Sequence, residues 1–190
     1  MNKTIKLAAI ITSAFLAACL LTGCGSSPKT NDGDELDKAI NEVADYLNVN
    51  VQGGVKIAVI SIKSNHRVLS EYIIDTLTER MVNDRFFTVV ERGQLEVVRA
   101  ELNLNMSGEV DDDSAQRIGK MLGAQTIVLG SVSSIGNDWR MSVRVLNVEN
   151  AEVQGLFNKT IRNTGTIAAI TSGKSSGAKG VVDSILQSVF

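Results

Sequence analysis

The sequence contains one histidine, one proline, two cysteines and only 4% aromatic residues among 190. So few His and Cys exclude most zinc sites built on those ligands. Neither charge sign dominates: 19 Lys and Arg stand against 21 Asp and Glu, a formal charge of -2. A general nucleic-acid binder usually carries a strong basic excess, so no nucleic-acid partner is expected. No apolar run is long enough to span a bilayer. The longest, Leu7–Leu21, is interrupted by Thr12 and Ser13. At 1.5 Å per helical residue it falls short of a core about 30 Å thick. What is present is ordinary for a folded chain, with 44% hydrophobic and 21% charged residues. That balance excludes collagen-like, low-complexity and wholly disordered classes.

The short apolar run has a function of its own. Lys3 and Lys6 precede it with no acid between, the form of a secretory leader. Leu21-Thr22-Gly23-Cys24 then matches a bacterial lipobox, with leucine at −3, small residues at −2 and −1, and cysteine as the first mature residue. The expected organisation is a signal peptide over 1–23, cleaved between Gly23 and Cys24, a lipidated Cys24 with a polar tether over 24–33, and a domain over 34–190. Cys19 leaves with the leader, so Cys24 is the sole mature cysteine and no intrachain disulfide is expected. Loss of Lys3 and Lys6 leaves 17 basic against 21 acidic residues, a formal charge of -4. More than one acyl chain gives stable anchoring. Gly25 at the position after the cysteine, in place of aspartate, points to the outer membrane by the sorting rule of enteric-type bacteria. The expected location is its periplasmic face.

Along the remaining chain, Leu36, Ile40, Val43, Ala44 and Leu47 recur at helical spacing. Gly53-Gly54 breaks that helix, and Val55–Ile62 reads as a buried strand. Asn65 is the expected cap of a helix whose stripe is Val68, Leu69, Tyr72, Ile73, Leu77 and Met81. Phe86–Val90 reads as a strand. A helix follows on Leu95, Val98 and Leu102, ending near Ser107-Gly108, and another runs from Asp111 to Leu122, closed by Gly123. Thr126–Val132 is a strand, and Gly136-Asn137-Asp138 a turn. In the next strand Trp139, Met141, Val143 and Val145 face one way, and Arg140, Ser142 and Arg144 the other. Val153, Phe157 and Ile161 continue the inward set on a fifth strand. The Gly-, Ser- and Lys-rich stretch 165–180 is ambiguous, and Val181–Phe190 fits a final helix.

The run Glu91-Arg92-Gly93-Gln94-Leu95, Glu101-Leu102, Ser107-Gly108, Val110-Asp111-Asp112, then Ile118–Ala124 into Ile127–Ser131, resembles the family of the curli secretion-channel lipoprotein CsgG. That family includes LpoB-like activators of penicillin-binding proteins. The resemblance covers roughly 34–162 and 180–190. It implies a single α/β domain with a mixed five-stranded sheet flanked by helices, as in the TolB N-terminal and anticodon-binding domains. It also implies a protein partner in the envelope, and it leaves a homo-oligomer open. Two departures bear on function. The curli channel's membrane hairpins would fall between Thr126–Val132 and Trp139–Val145, and between Ile161 and the last helix. Only Ser133–Asp138 separates the first pair, and the second stretch does not alternate. The tether Gly25–Gly33 spans roughly 30 Å at most, at about 3.5 Å per residue, whereas LpoB has a long one.

Candidate chemistry is sparse. Asp111–Asp113 lacks the alternate acids, glycine and closing glutamate of a calcium loop and reads as helix N-terminal charge. Gly173-Lys174-Ser175 would need a glycine where Ala168 stands to end a phosphate-binding loop. His66 has no serine or cysteine context and reads as a solvated residue beside a helix start. Arg140 and Arg144 share the outer face of a strand, either solvated or touching an anionic partner. No catalytic residue, cofactor or metal is expected. The expected protein is a non-enzymatic binding or assembly lipoprotein of the cell envelope, with regulation of a peptidoglycan synthase as one role open to it. The alternatives are a subunit of a ring-shaped secretion complex and, disfavoured, an envelope enzyme.

Overall fold

The structure, a computed structural model, describes residues 34–102 and 110–173. Cys24, the tether, the end of the helix expected near Ser107-Gly108 and the helix expected over Val181–Phe190 lie outside the described residues. Helix α1 (Glu35–Asn50) opens on Asp34, whose carboxylate accepts from the Leu36 amide at 3.0 Å. Glu35 and Asp37 add favourable charge to the first turn. Strand β1 is Lys56–Ser64, helix α2 Arg67–Asp84, strand β2 Thr88–Val89, and helices α3 and α4 Arg92–Glu101 and Asp112–Met121. Strands β3 (Thr126–Ile135), β4 (Asp138–Asn147) and β5 (Val153–Ile161) precede helix α5 (Gly165–Thr171).

The five strands form one sheet in the order β2-β1-β3-β4-β5. β1 runs parallel to β2 and β3, while β3–β4 and β4–β5 are antiparallel. The sheet is therefore mixed, as the sequence predicts. Its inner face carries Ile57, Val59, Val128, Met141, Val143 and Val145 against the buried stripes of α1 and α2 and against Ile167 of α5. Its outer face carries Ala58, Ile60, Ile127, Leu129 and Leu146 against Leu95 and Val98 of α3 and Ala115 and Ile118 of α4. Over their first halves both faces of β1 and β3 are thus apolar, as strands covered on two sides require.

Several expectations need correction. His66, not Asn65, is the N-cap residue of α2, and it offers no side-chain bond there. Val68 lies off the buried stripe and is 46% exposed. The strand expected over Phe86–Val90 shrinks to two residues, because Phe86 turns away to pack over Gly53. The expected turn tightens: Ile135 pairs with Asp138, leaving only Gly136 and Asn137 between the strands, with Gly136 at φ 60°. A two-residue hairpin loop needs such a left-handed position.

Val153 also departs from the inward set. Val145 pairs with Gly155 but Leu146 with Val153, so the register slips by one at Gln154. The extra residue throws Val153 onto the outer face, where it is 58% exposed. Gly155 takes the inner position instead. A Cβ there would stand 2.8 Å from the Tyr46 hydroxyl oxygen, which accepts a hydrogen bond from the Leu156 amide at 2.9 Å.

Candidate functional site

The helices cover only half of the outer sheet face. α3 and α4 lie where the outward residues are apolar. Beyond them the outward positions turn polar: Ser61 and Lys63 on β1, Ser131 and Ser133 on β3, Arg140, Ser142 and Arg144 on β4. Little apolar surface remains there, and no described helix packs on it. An open groove of about 610 Å³ results, floored by Gly130, Ser131, Ser142 and Asn158 and walled by residues of α2 and α3. A smaller cavity of about 290 Å³ adjoins it, and both are lined by Ile60, Ile74, Arg92, Glu96 and Arg99.

The groove's polar side chains are mostly engaged. Ser142 Oγ donates to Asn158 Oδ1 at 2.7 Å across the β4–β5 pair. Arg144 grips Asp112 with both terminal nitrogens, at 2.8 and 3.2 Å, and so ties the first turn of α4 to β4. Arg92 meets Asp75 at 2.7 Å, and Arg67 meets Glu71 at 2.9 Å.

Arg99 stands apart. β1 bulges between Val59 and Ser61, and the Ile60 carbonyl at the bulge accepts a hydrogen bond from Arg99 Nη2. Only 9% of the Arg99 residue surface is exposed. Among the described residues its Nε has no partner, and Glu96 Oε2 is likewise buried without one. Burial pushes the guanidinium pKa below the usual arginine range; Glu96 opposes that shift and Arg92 adds to it. Sequence reading missed Arg99. The available signal is its place on the stripe: Leu95, Val98 and Leu102 mark the buried side of α3, and Arg99 lies four residues after Leu95 on that same side.

The residues singled out from sequence do not converge. Asp111 caps α4 by accepting from the Ser114 amide at 2.7 Å, a bond that holds its carboxyl pKa low. Asp112 is taken by Arg144, and Asp113 sits in the same first turn. His66 is half-buried, not solvated, with its ring edge-on to Trp139 at 5.6 Å between centroids. Trp139 is core, and its indole N–H donates to Asn163 Oδ1 at 3.2 Å. Arg140 is exposed on the open face. Gly173 follows α5 at φ 64°, and Lys174 and Ser175 lie outside the described residues. Among the described residues no three His, Cys, Asp or Glu side chains gather to hold a metal ion, and no helix is long and apolar enough to cross a membrane.

This arrangement has known counterparts. The family described as "Curli production assembly/transport component CsgG" matches residues 54–144, the span from the Gly-Gly turn to the middle of β4. The resemblance to the CsgG family is therefore shown over that core. The fold is that of the LpoB C-terminal domain. The Salmonella enterica domain superposes with a TM-score of 0.59 at 20% identity, covering 67% of this chain and 98% of that one. The Escherichia coli domain gives 0.58 at 18% identity, covering 66% and 97%. No curated protein matches the sequence.

Proposed function

We propose that the protein is a lipoprotein, anchored through Cys24 to the periplasmic face of the outer membrane, that binds and regulates a protein partner without catalysing a reaction. The partner is one that builds or spans the cell wall, of the kind a penicillin-binding-protein activator serves. The observation that carries this reading is the joining of Leu21-Thr22-Gly23-Cys24 to a core that the CsgG family model matches and whose open, polar sheet face no described helix covers. A tight Gly136-Asn137 turn stands where the resemblance would place the curli channel's first membrane hairpin. That supports a binding module over a pore subunit.

The test is crosslinking in living cells from positions on the open face, such as Ser133 and Arg140, with identification of what is trapped. A wall synthase or another envelope protein is the expected product. The family match favours one second reading, a subunit of a ring-shaped secretion assembly. If the trapped species is chiefly the chain itself, and electron microscopy of the purified protein shows rings, that second reading replaces the first.

A further inference from the structure

Arg67, Arg92 and Arg144 at the groove each face a carboxylate within 3 Å. Arg99 makes no ion pair among the described residues, and its one hydrogen bond there is to the Ile60 carbonyl. It is also the most deeply buried of these cations. The charge of Glu96 offsets only part of the desolvation of this guanidinium, whose Nε has no partner among the described residues, and the remaining cost falls when an anion arrives. Arginine also presents a planar fork suited to a carboxylate.

We propose that the groove docks a segment of a partner protein that inserts one carboxylate side chain, aspartate or glutamate, against Arg99. One carboxylate suffices, because the neighbouring arginines are already paired. A polyanion such as a phosphate-bearing wall polymer would need a track of unpaired cations and would have to break the pairs to Glu71, Asp75 and Asp112. A protein segment suits the rest of the lining. Leu156, 56% exposed, and Ile74 offer apolar contact beside the serines and Asn158. A buried arginine among apolar and polar neighbours is the usual make-up of a strong contact point between proteins. The burial that lowers the Arg99 pKa marks the same desolvation. The proposal rests on the reading of the chain as a binding module and adds the chemistry of what it binds.

The test uses protein purified from the full-length sequence, with amide resonances of Ser131, Ser142 and Asn158 followed during titration. The probes are acetyl-Gly-Leu-Glu-Leu-Gly-amide, its Gln counterpart and inorganic phosphate. The Glu peptide should bind at least tenfold more tightly than the Gln peptide. R99M should abolish that difference without lowering the melting temperature, and R99K should retain part of it. Equal binding of the two peptides, no binding of either, or phosphate binding as tight as the Glu peptide overturns the proposal. If R99M fails to fold, the Glu-against-Gln comparison on the unaltered protein decides alone. Failure of the crosslinking experiment with success of this one discards the envelope partner and keeps the site. The reverse outcome discards the site and keeps the partner.

Discussion

Asp34 does two jobs with one carboxylate. One oxygen accepts from the Leu36 amide in the first turn of α1 and the other from the Thr166 amide at 2.5 Å in the first turn of α5. Helix caps of this kind are each worth about 1 kcal/mol. Asp34→Ala should therefore cost about 1–2 kcal/mol by urea denaturation, with amide exchange in α5 accelerating more than in β3. Tyr72 is the second residue of this kind. Its hydroxyl donates to Asp37 at 2.6 Å, joining α2 to α1. Burial, then the Asp37 bond and charge, push its pKa well above the ordinary 10.0. The folded chain thus holds this proton more tightly than the unfolded chain. The resulting stability is complete below the unfolded value and is lost as pH rises toward the folded one. Tyr72→Phe should cost about 1–2 kcal/mol at neutral pH. Denaturation curves of the two proteins between pH 10 and 12 should show the unaltered protein losing stability faster than the variant.

At the scale of elements, β4 separates two environments at adjacent residues. Val143 is 1% exposed on the inner face, and the Arg144 side chain is 43% exposed on the outer. Val143→Asp drives an unpaired charge into the core at a cost of several kcal/mol, while Arg144→Asp loses one surface pair and gains repulsion from Asp112, about 1 kcal/mol. Melting curves that coincide for the two variants would refute the strand's register. This alternation was readable from sequence because it is local: four apolar residues at every second position need no partner to be recognised. The stripes of α1 and α2 were readable for the same reason. Val153 was not, because the bulge at Gln154 is set by pairing with β4 and by Tyr46 lying over Gly155. The two-residue β2 was not, because Phe86 and Phe87 are as apolar as a strand yet pack edge-to-face, 4.9 Å between centroids, in a turn. The site around Arg99 was least legible of all. It exists only where α3 crosses the bulge of β1, residues 39 apart in sequence.

On the proposed function, Cys24 holds the chain at the membrane. Cys24→Ser should release the protein from the membrane pellet on fractionation with an unchanged melting curve; retention in the pellet would refute anchoring through Cys24. Lipidated protein should give no unitary conductance steps in planar bilayers. The Gly136-Asn137 turn leaves no room between β3 and β4 for a membrane hairpin, whose strands need about 9–11 residues each. In the tethered protein proposed above, the Asp34 clamp would have a mechanical meaning. Tension along the chain from residues before 34 reaches the domain first at Asp34, where the carboxylate fastens α1 to α5. The Arg162–Glu35 and Lys159–Glu42 pairs fasten the same helix to the end of β5 and beyond. A pull there loads several cross-links together instead of peeling one helix turn by turn. Under the proposed function the clamp would act as a strain relief, letting a partner tug on the domain without unravelling its first helix.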